Sequence, residues 1–125
     1  MTAKKIFMPL VLAMSVVGTP AFADKNASMK AINQALVLIE SAERNGASMN
    51  AADYLKSSRD HLSKAKILLN SRDWVDAEIS AKMAQRDAEV ADAKSQSIKA
   101  EKSYNDLKAA VDILKAELTR KRGQL

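Results

Sequence analysis

Alanines recur at helical spacing across residues 73–93 of this 125-residue chain. Successive members of the pattern are three or four positions apart, which places them on one face of an α-helix. Alanine has the highest helix propensity of the amino acids, and its small side chain lets two helix backbones approach closely. We therefore predict a helix that packs closely on its neighbours through an alanine stripe, consisting of Trp74, Ala77, Ala81, Ala84, Ala88 and Ala91.

Start and stop signals divide the chain after residue 23 into helices. Neither proline nor glycine interrupts residues 74–122, so little there stops a helix once it has begun. The expected N-caps are Ser28 for the first helix, Ser48 or Asn50 for the second and Asp73 for the third. Asn45-Gly46 marks the end of the first helix. We predict helices over about residues 28–45, 50–69 and 73–122.

The tight connection at residues 70–73 makes the second and third helices antiparallel. Leu55, Leu62 and Leu69 would then face the alanine stripe and fill the space beside it. An alternative is an alanine face kept bare for a partner. The predicted fold class is all-α: an antiparallel helical hairpin or three-helix bundle with a long third helix, coiled-coil-like in its C-terminal half.

A second apolar stripe follows on the same predicted helix, rotated by about 130° from the alanine stripe. Its spacing alternates between three and four over two heptads. The helix either bends near Ser95–Ser97 and buries this stripe on helix one, or leaves it for an intermolecular contact. We favour the contact, because no glycine or proline marks a turn there. The candidate interaction surface is Tyr104, Leu107, Val111, Leu114 and Leu118.

The first residues have the three parts of a secretory signal peptide. Lys4 and Lys5 precede an apolar run, and Ala21-Phe22-Ala23 supplies the small residues of a cleavage site. The apolar run is shorter than the roughly 20 residues that a bilayer span needs. We expect cleavage after Ala23, a single domain over 24–125 with no transmembrane span, and a periplasmic location. Since the chain has no cysteine, we expect it not to be a lipoprotein.

The net charge of +5 does not indicate a nucleic-acid partner. Removing Lys4 and Lys5 with the signal leaves 18 basic residues against 15 acidic ones. The whole excess then lies in Arg120, Lys121 and Arg122. Nucleic-acid binders cluster basic residues on one face, which this chain does not do.

No constellation typical of an enzyme is found in the sequence. His61 is the single histidine, without the cluster that a metal site needs, and we interpret it as an exposed helix residue. Serines 57, 58 and 63 have no histidine–carboxylate set that we can place beside them, and no glycine-rich loop is present to hold phosphate. We expect no catalytic residue, no cofactor and no metal.

The leucines of helix two, a polar turn, Asp73-Trp74 and the alanine stripe together resemble the bacterial envelope family of domain of unknown function 4398. The resemblance covers roughly residues 28–100. The family is itself similar to a single tetratricopeptide-type hairpin. It implies an exported helical domain, often a lipoprotein or joined to a peptidoglycan-binding module. This chain shows neither the lipidated cysteine nor that module.

Three functions remain open on these grounds. The first is a periplasmic helical protein that binds another protein or itself as a homo-oligomer. The second is a peripheral envelope binder that uses Arg120-Lys121-Arg122 on anionic lipid or cell-wall polymer, although cations at a helix C-terminus also simply complement its dipole. The third is an enzyme of an unusual class. We favour the first.

The signal peptide gives the first testable prediction. N-terminal sequencing of the protein purified from periplasm should begin at Asp24, because the small residues at 21 and 23 fit the cleavage site. A protein that stays in the cytoplasm with Met1 intact would contradict the prediction of export.

Overall fold

The structure is a computed structural model that describes residues 25–125, and these residues form four helices. The expected signal peptide and its cleavage site lie outside the described residues. α2 is a single turn, so three long helices build the fold, and the all-α prediction is confirmed. Of the two predicted architectures, the structure adopts the three-helix bundle. The helices are α1 (Lys25–Arg44), α2 (Ala47–Asn50), α3 (Ala52–Asn70) and α4 (Trp74–Gly123).

Both α1 and α3 pack on the first half of α4, and they also touch each other. α1 runs parallel to α4, because Ser28 bonds to Trp74 near one end and Asn45 bonds to Asp92 near the other. α3 follows the turn at residues 45–51. It runs in the opposite direction and contacts both α1 and α4. This up-down-up order places the start of α4 beside the start of α1.

The alanine stripe lies at the centre of the bundle. Its five alanines have no exposed surface at all, whereas Trp74 at its start is half-buried. Larger side chains from the other two helices fill the space that the alanines leave. The alternative of a bare alanine face is therefore wrong. The larger buried side chains are Ile32 and Ile39 from α1 and Leu55 and Leu62 from α3.

Short polar side chains cross between the closely packed helices and bond to backbone carbonyls. The Ser58 hydroxyl donates to the Ala84 carbonyl at an O–O distance of 2.6 Å. The Ser28 hydroxyl donates to the Trp74 carbonyl at 2.8 Å. A serine side chain can reach a neighbouring backbone only where the two helices approach closely. The bond from Ser58 satisfies a hydroxyl group that has no exposed surface.

Three of the expected helix caps are wrong. Ser28 lies inside α1, which begins at Lys25, and its hydroxyl bonds to α4 instead. Ser48 and Asn50 both lie inside α2, so Ala51 holds the cap position of α3. Asp73 does occupy the N-cap position of α4, although its side chain makes no capping hydrogen bond. Spacing along the chain could not show that the Ser28 hydroxyl would bond to another helix.

The turn after α1 depends on a glycine. Gly46 has a φ of +86°, a conformation that residues with a Cβ rarely adopt. It lies two residues after Arg44, the last residue of α1, and leads directly into the single turn of α2. The Asn45-Gly46 signal in the sequence therefore corresponds to a real change of direction.

α4 is continuous from Trp74 to Gly123, so the chain does not bend at residues 95–97. Ser95 is buried in the middle of the helix, and its hydroxyl donates to the Ala91 carbonyl one turn earlier. The interpretation that α4 folds back and buries its second apolar stripe on α1 is wrong. The second half of α4 continues as one helix beyond the helices that cover its first half.

Close packing at the alanine stripe gives the second prediction. Ala84→Leu should lower the free energy of unfolding by about 1–3 kcal/mol, because Ala84 is fully buried and three extra carbon atoms have no space. Thermal and urea denaturation measure the change. Ala109→Leu, at an exposed position of the same helix, is the matched control and should leave stability nearly unchanged. An unaltered melting temperature for Ala84→Leu would contradict the packing described here.

Candidate interaction surface

The second half of α4 extends past the bundle. Ser95 is the last buried residue of the helix. The Lys99 side chain still lies over the first turn, where an added Cβ on Gly46 would meet Lys99 Cε at 3.4 Å. Residues 100–123, which we call the arm, are exposed throughout. At 1.5 Å per residue the arm projects about 36 Å from the bundle.

The candidate interaction residues inferred from the sequence all lie on the arm, and the structure leaves them uncovered. We call this set the association stripe. Contiguous exposed apolar side chains of this kind mark interaction sites in soluble proteins. The exposed fractions are 65% for Tyr104, 66% for Leu107, 39% for Val111, 65% for Leu114 and 52% for Leu118.

The association stripe faces away from the bundle. It is rotated by about 130° from the alanine stripe, and α4 is one continuous helix. Followed back along α4, the same face passes through Lys82, Glu89 and Ala93, which are all exposed. A helix that docks on the association stripe therefore lies on a face of α4 that stays exposed alongside the bundle, where Glu89 also borders the groove next to α1.

The two edges of the association stripe differ in charge. On one edge, Lys108, Lys115 and Arg122 repeat at intervals of seven residues, and we call them the basic row. The opposite edge carries Ser103 and Ala110 at the matching positions, with an acid only at Glu117. All of these side chains are exposed. The surface is thus an apolar strip with one positive border and one mostly neutral border.

A second, shallower surface lies between α1 and α4. It is an open groove of about 790 Å³. Met29, Val37 and Leu38 provide its apolar part, and Lys30 and Glu89 lie among its polar lining residues. Met29 and Val37 are 42% and 61% exposed, so the groove also presents apolar surface.

One polar cluster joins α3 to α4. The Ser57 hydroxyl donates to Asp87 Oδ2 at 2.6 Å, and His61 Nδ1 lies 2.8 Å from the same oxygen. His61 and Asp87 are only 34% and 26% exposed at their side chains. The interpretation of His61 as an isolated exposed residue was wrong, and so was the statement that no histidine–carboxylate set lies beside these serines.

The order of the three groups does not suit nucleophilic catalysis. In a catalytic triad the histidine lies between the serine and the acid and takes the proton of the hydroxyl. Here Asp87 lies between Ser57 and His61, so both side chains share one acceptor oxygen. The arrangement clamps two helices together. Counting outward from the turn at 70–73 brings position 57 opposite position 86, so the hairpin register in the sequence could have indicated it.

Within residues 25–125, no three His, Asp or Glu side chains are grouped closely enough to hold a metal ion. None of the helices in that part of the chain combines the length and the hydropathy that crossing a bilayer requires. The buried side-chain nitrogen and oxygen atoms there all have hydrogen-bond partners. No buried polar atom of the described residues therefore indicates a missing ligand.

Comparison with known proteins identifies one family. A family model described as "Domain of unknown function (DUF4398)" matches residues 30–107. The match covers more than half of the chain and extends from the first turns of α1 into the arm, where it ends at Leu107. The resemblance inferred from the sequence is confirmed. No curated protein and no solved structure matches the chain.

The cross-helix clamp gives the third prediction. Asp87→Ala removes the shared acceptor and should lower the free energy of unfolding by about 1–3 kcal/mol, the range for losing hydrogen bonds to a charged group. Denaturant unfolding measures the change. Asp112→Ala removes an equal charge from the exposed arm and should have almost no effect. If the two variants are equally stable, the clamp contributes nothing measurable.

Proposed function

Since the chain belongs to the DUF4398 family, whose description names no activity, we propose a function from the surfaces of this chain itself. The protein is an exported, non-enzymatic helical protein that acts in the periplasm by association, with another protein or with a second copy. The observation that carries this proposal is the exposed association stripe on the arm. The bundle anchors the arm, and the arm exposes the association stripe to a partner.

The energetics of the stripe favour a weak or assisted association. Fully burying a large apolar side chain contributes about 1.5–3 kcal/mol. Five such side chains provide roughly 7–15 kcal/mol, while association costs an estimated 4–15 kcal/mol in lost freedom of motion. The stripe alone is therefore close to balance. A tight complex needs a partner that adds further contacts beyond the five apolar residues.

Export is supported by the residues before the bundle. Lys4 and Lys5, the apolar run and Ala21-Phe22-Ala23 have the order of a cleavable signal peptide. In this proposal the signal is removed and the helices fold in the periplasm. No cysteine is needed for stability there, because the alanine stripe and the cross-helix hydrogen bonds already hold the bundle together.

A second candidate function is binding to the envelope surface. Arg120, Lys121 and Arg122 are exposed at the end of the arm, far from the bundle, where a surface could reach them first. Stable attachment to anionic lipid usually takes clusters of about four to eight cations. Three cations fall short of that number, so we place this function second. Sedimentation of the protein with anionic vesicles or with purified cell wall tests it.

The association stripe gives the fourth prediction. Leu107→Lys with Leu114→Lys should abolish association and leave helix content and cooperative unfolding intact, because both side chains are about two-thirds exposed. Sedimentation measures the assembly state, and crosslinked capture from periplasm measures partner binding. Circular dichroism follows the fold.

Ala109→Lys with Ile113→Lys adds the same charge on the opposite face of the arm, and Ile113 is similarly exposed at 63%. This control should associate like the unaltered protein. A wild-type protein that remains monomeric at high concentration and captures no partner would end the association proposal.

A further inference from the structure

The association stripe is as narrow as the contact line between two helices in a coiled coil. Its members occupy only the two positions in each heptad that form the contact line of a coiled coil, and the adjoining positions on both edges carry no large apolar residue. Helices that bury a face in a broad apolar surface show a wider band. Six cations give the arm a net charge of only +2, because four carboxylates that an anionic bilayer would repel are interspersed among them: Glu101, Asp106, Asp112 and Glu117. The geometry favours a helix as the occupant over a membrane.

A second copy of the chain pairs poorly with the association stripe and its charged edges. In a parallel pair, each member of the basic row meets the residue five positions earlier on the other chain. Lys108 would then face Ser103 and Lys115 would face Ala110, so only Arg122 would find an acid, at Glu117. In an antiparallel pair the two basic-row edges meet each other. Glu101 lies on the same edge and would face Lys115 or Arg122, but Lys108 would meet a lysine. Neither arrangement pairs all three cations of the basic row with an acid.

We propose that the arm pairs with an amphipathic helix of a different protein, whose apolar heptad stripe is bordered by Asp or Glu. Those carboxylates face Lys108, Lys115 and Arg122, while the apolar residues cover the association stripe. Since the outer face of α4 is open as far as Lys82, the partner helix can be longer than the arm. This inference rests on the proposed function and identifies the partner by its chemistry.

Two synthetic helical peptides provide the probe. Both span about three heptads with leucine at the contact positions. One peptide carries glutamate at every position that flanks the leucines, and the other carries lysine at the same positions. Both peptides therefore repel a second copy of themselves to the same degree. The protein as purified from cells should bind the glutamate peptide about tenfold more tightly than the lysine peptide at low salt, since three exposed charge pairs change sign. Added salt should reduce this ratio.

Charge reversal tests the position of the basic row. Lys108→Glu with Lys115→Glu should reverse the preference, so that the lysine peptide binds more tightly. Lys102→Glu with Arg120→Glu makes the same change in net charge on the opposite face of the arm and should keep the original preference. If both double variants behave alike, only net charge matters, and the proposal is overturned.

The remaining outcomes separate this inference from the proposed function. Equal binding of both peptides overturns the inference that the partner carries acidic residues beside its apolar stripe. The association stripe would then remain an apolar association surface. Failure of both peptides, with a homodimer that Leu107→Lys and Leu114→Lys abolish, overturns the inference and leaves self-association standing. Binding only to vesicles of phosphatidylcholine with phosphatidylglycerol assigns the arm to a membrane and overturns the inference. A monomer that binds neither peptide nor vesicle and captures no periplasmic protein ends both proposals.

Discussion

The close approach of α4 to α1 and α3 is the interaction on which the rest of the structure depends. Alanines with no exposed surface line the contact, so the helix axes come together without large side chains between them. The same approach lets Ser58 reach the Ala84 carbonyl and brings Ser57 and His61 to Asp87. A core of small side chains has little space for change, because interiors are packed as densely as organic crystals.

The difference in helix length determines where the candidate function lies. α1 and α3 contain 20 and 19 residues, whereas α4 contains 50. Two helices of about 30 Å cannot cover one of about 75 Å, so half of α4 must project. The apolar residues change faces near this boundary, from the alanine stripe inside the bundle to the association stripe on the arm. The packed half holds the fold, and the projecting half carries the surface that lacks a covering partner in the described chain.

Predictions from the sequence succeeded where local rules apply and failed where tertiary contacts compete with them. The end of α1 at Asn45-Gly46 follows from the conformational freedom of glycine, and Gly46 has the expected positive φ. Ser28 has the chemistry of a helix cap, yet its hydroxyl bonds to a carbonyl 46 residues later. His61 lacks partners among its neighbours in sequence, yet it shares Asp87 with Ser57 across the hairpin. Rules of spacing within a helix do not include the side chains of other helices, and only the register of the hairpin could have indicated the contact at Asp87.

The sequence by itself determined that the chain is helical, which faces are apolar and that one helix is far longer than its neighbours. These properties follow from propensity, from the 3.6-residue period and from the absence of proline and glycine in residues 74–122. Only the tertiary structure decided that α4 is continuous through Ser95, so that the association stripe stays exposed instead of folding back on α1. The choice depends on whether burying that stripe on α1 would gain more free energy than breaking α4 would cost. A break would cost the backbone hydrogen bonds of a helix that the alanine stripe already holds in place.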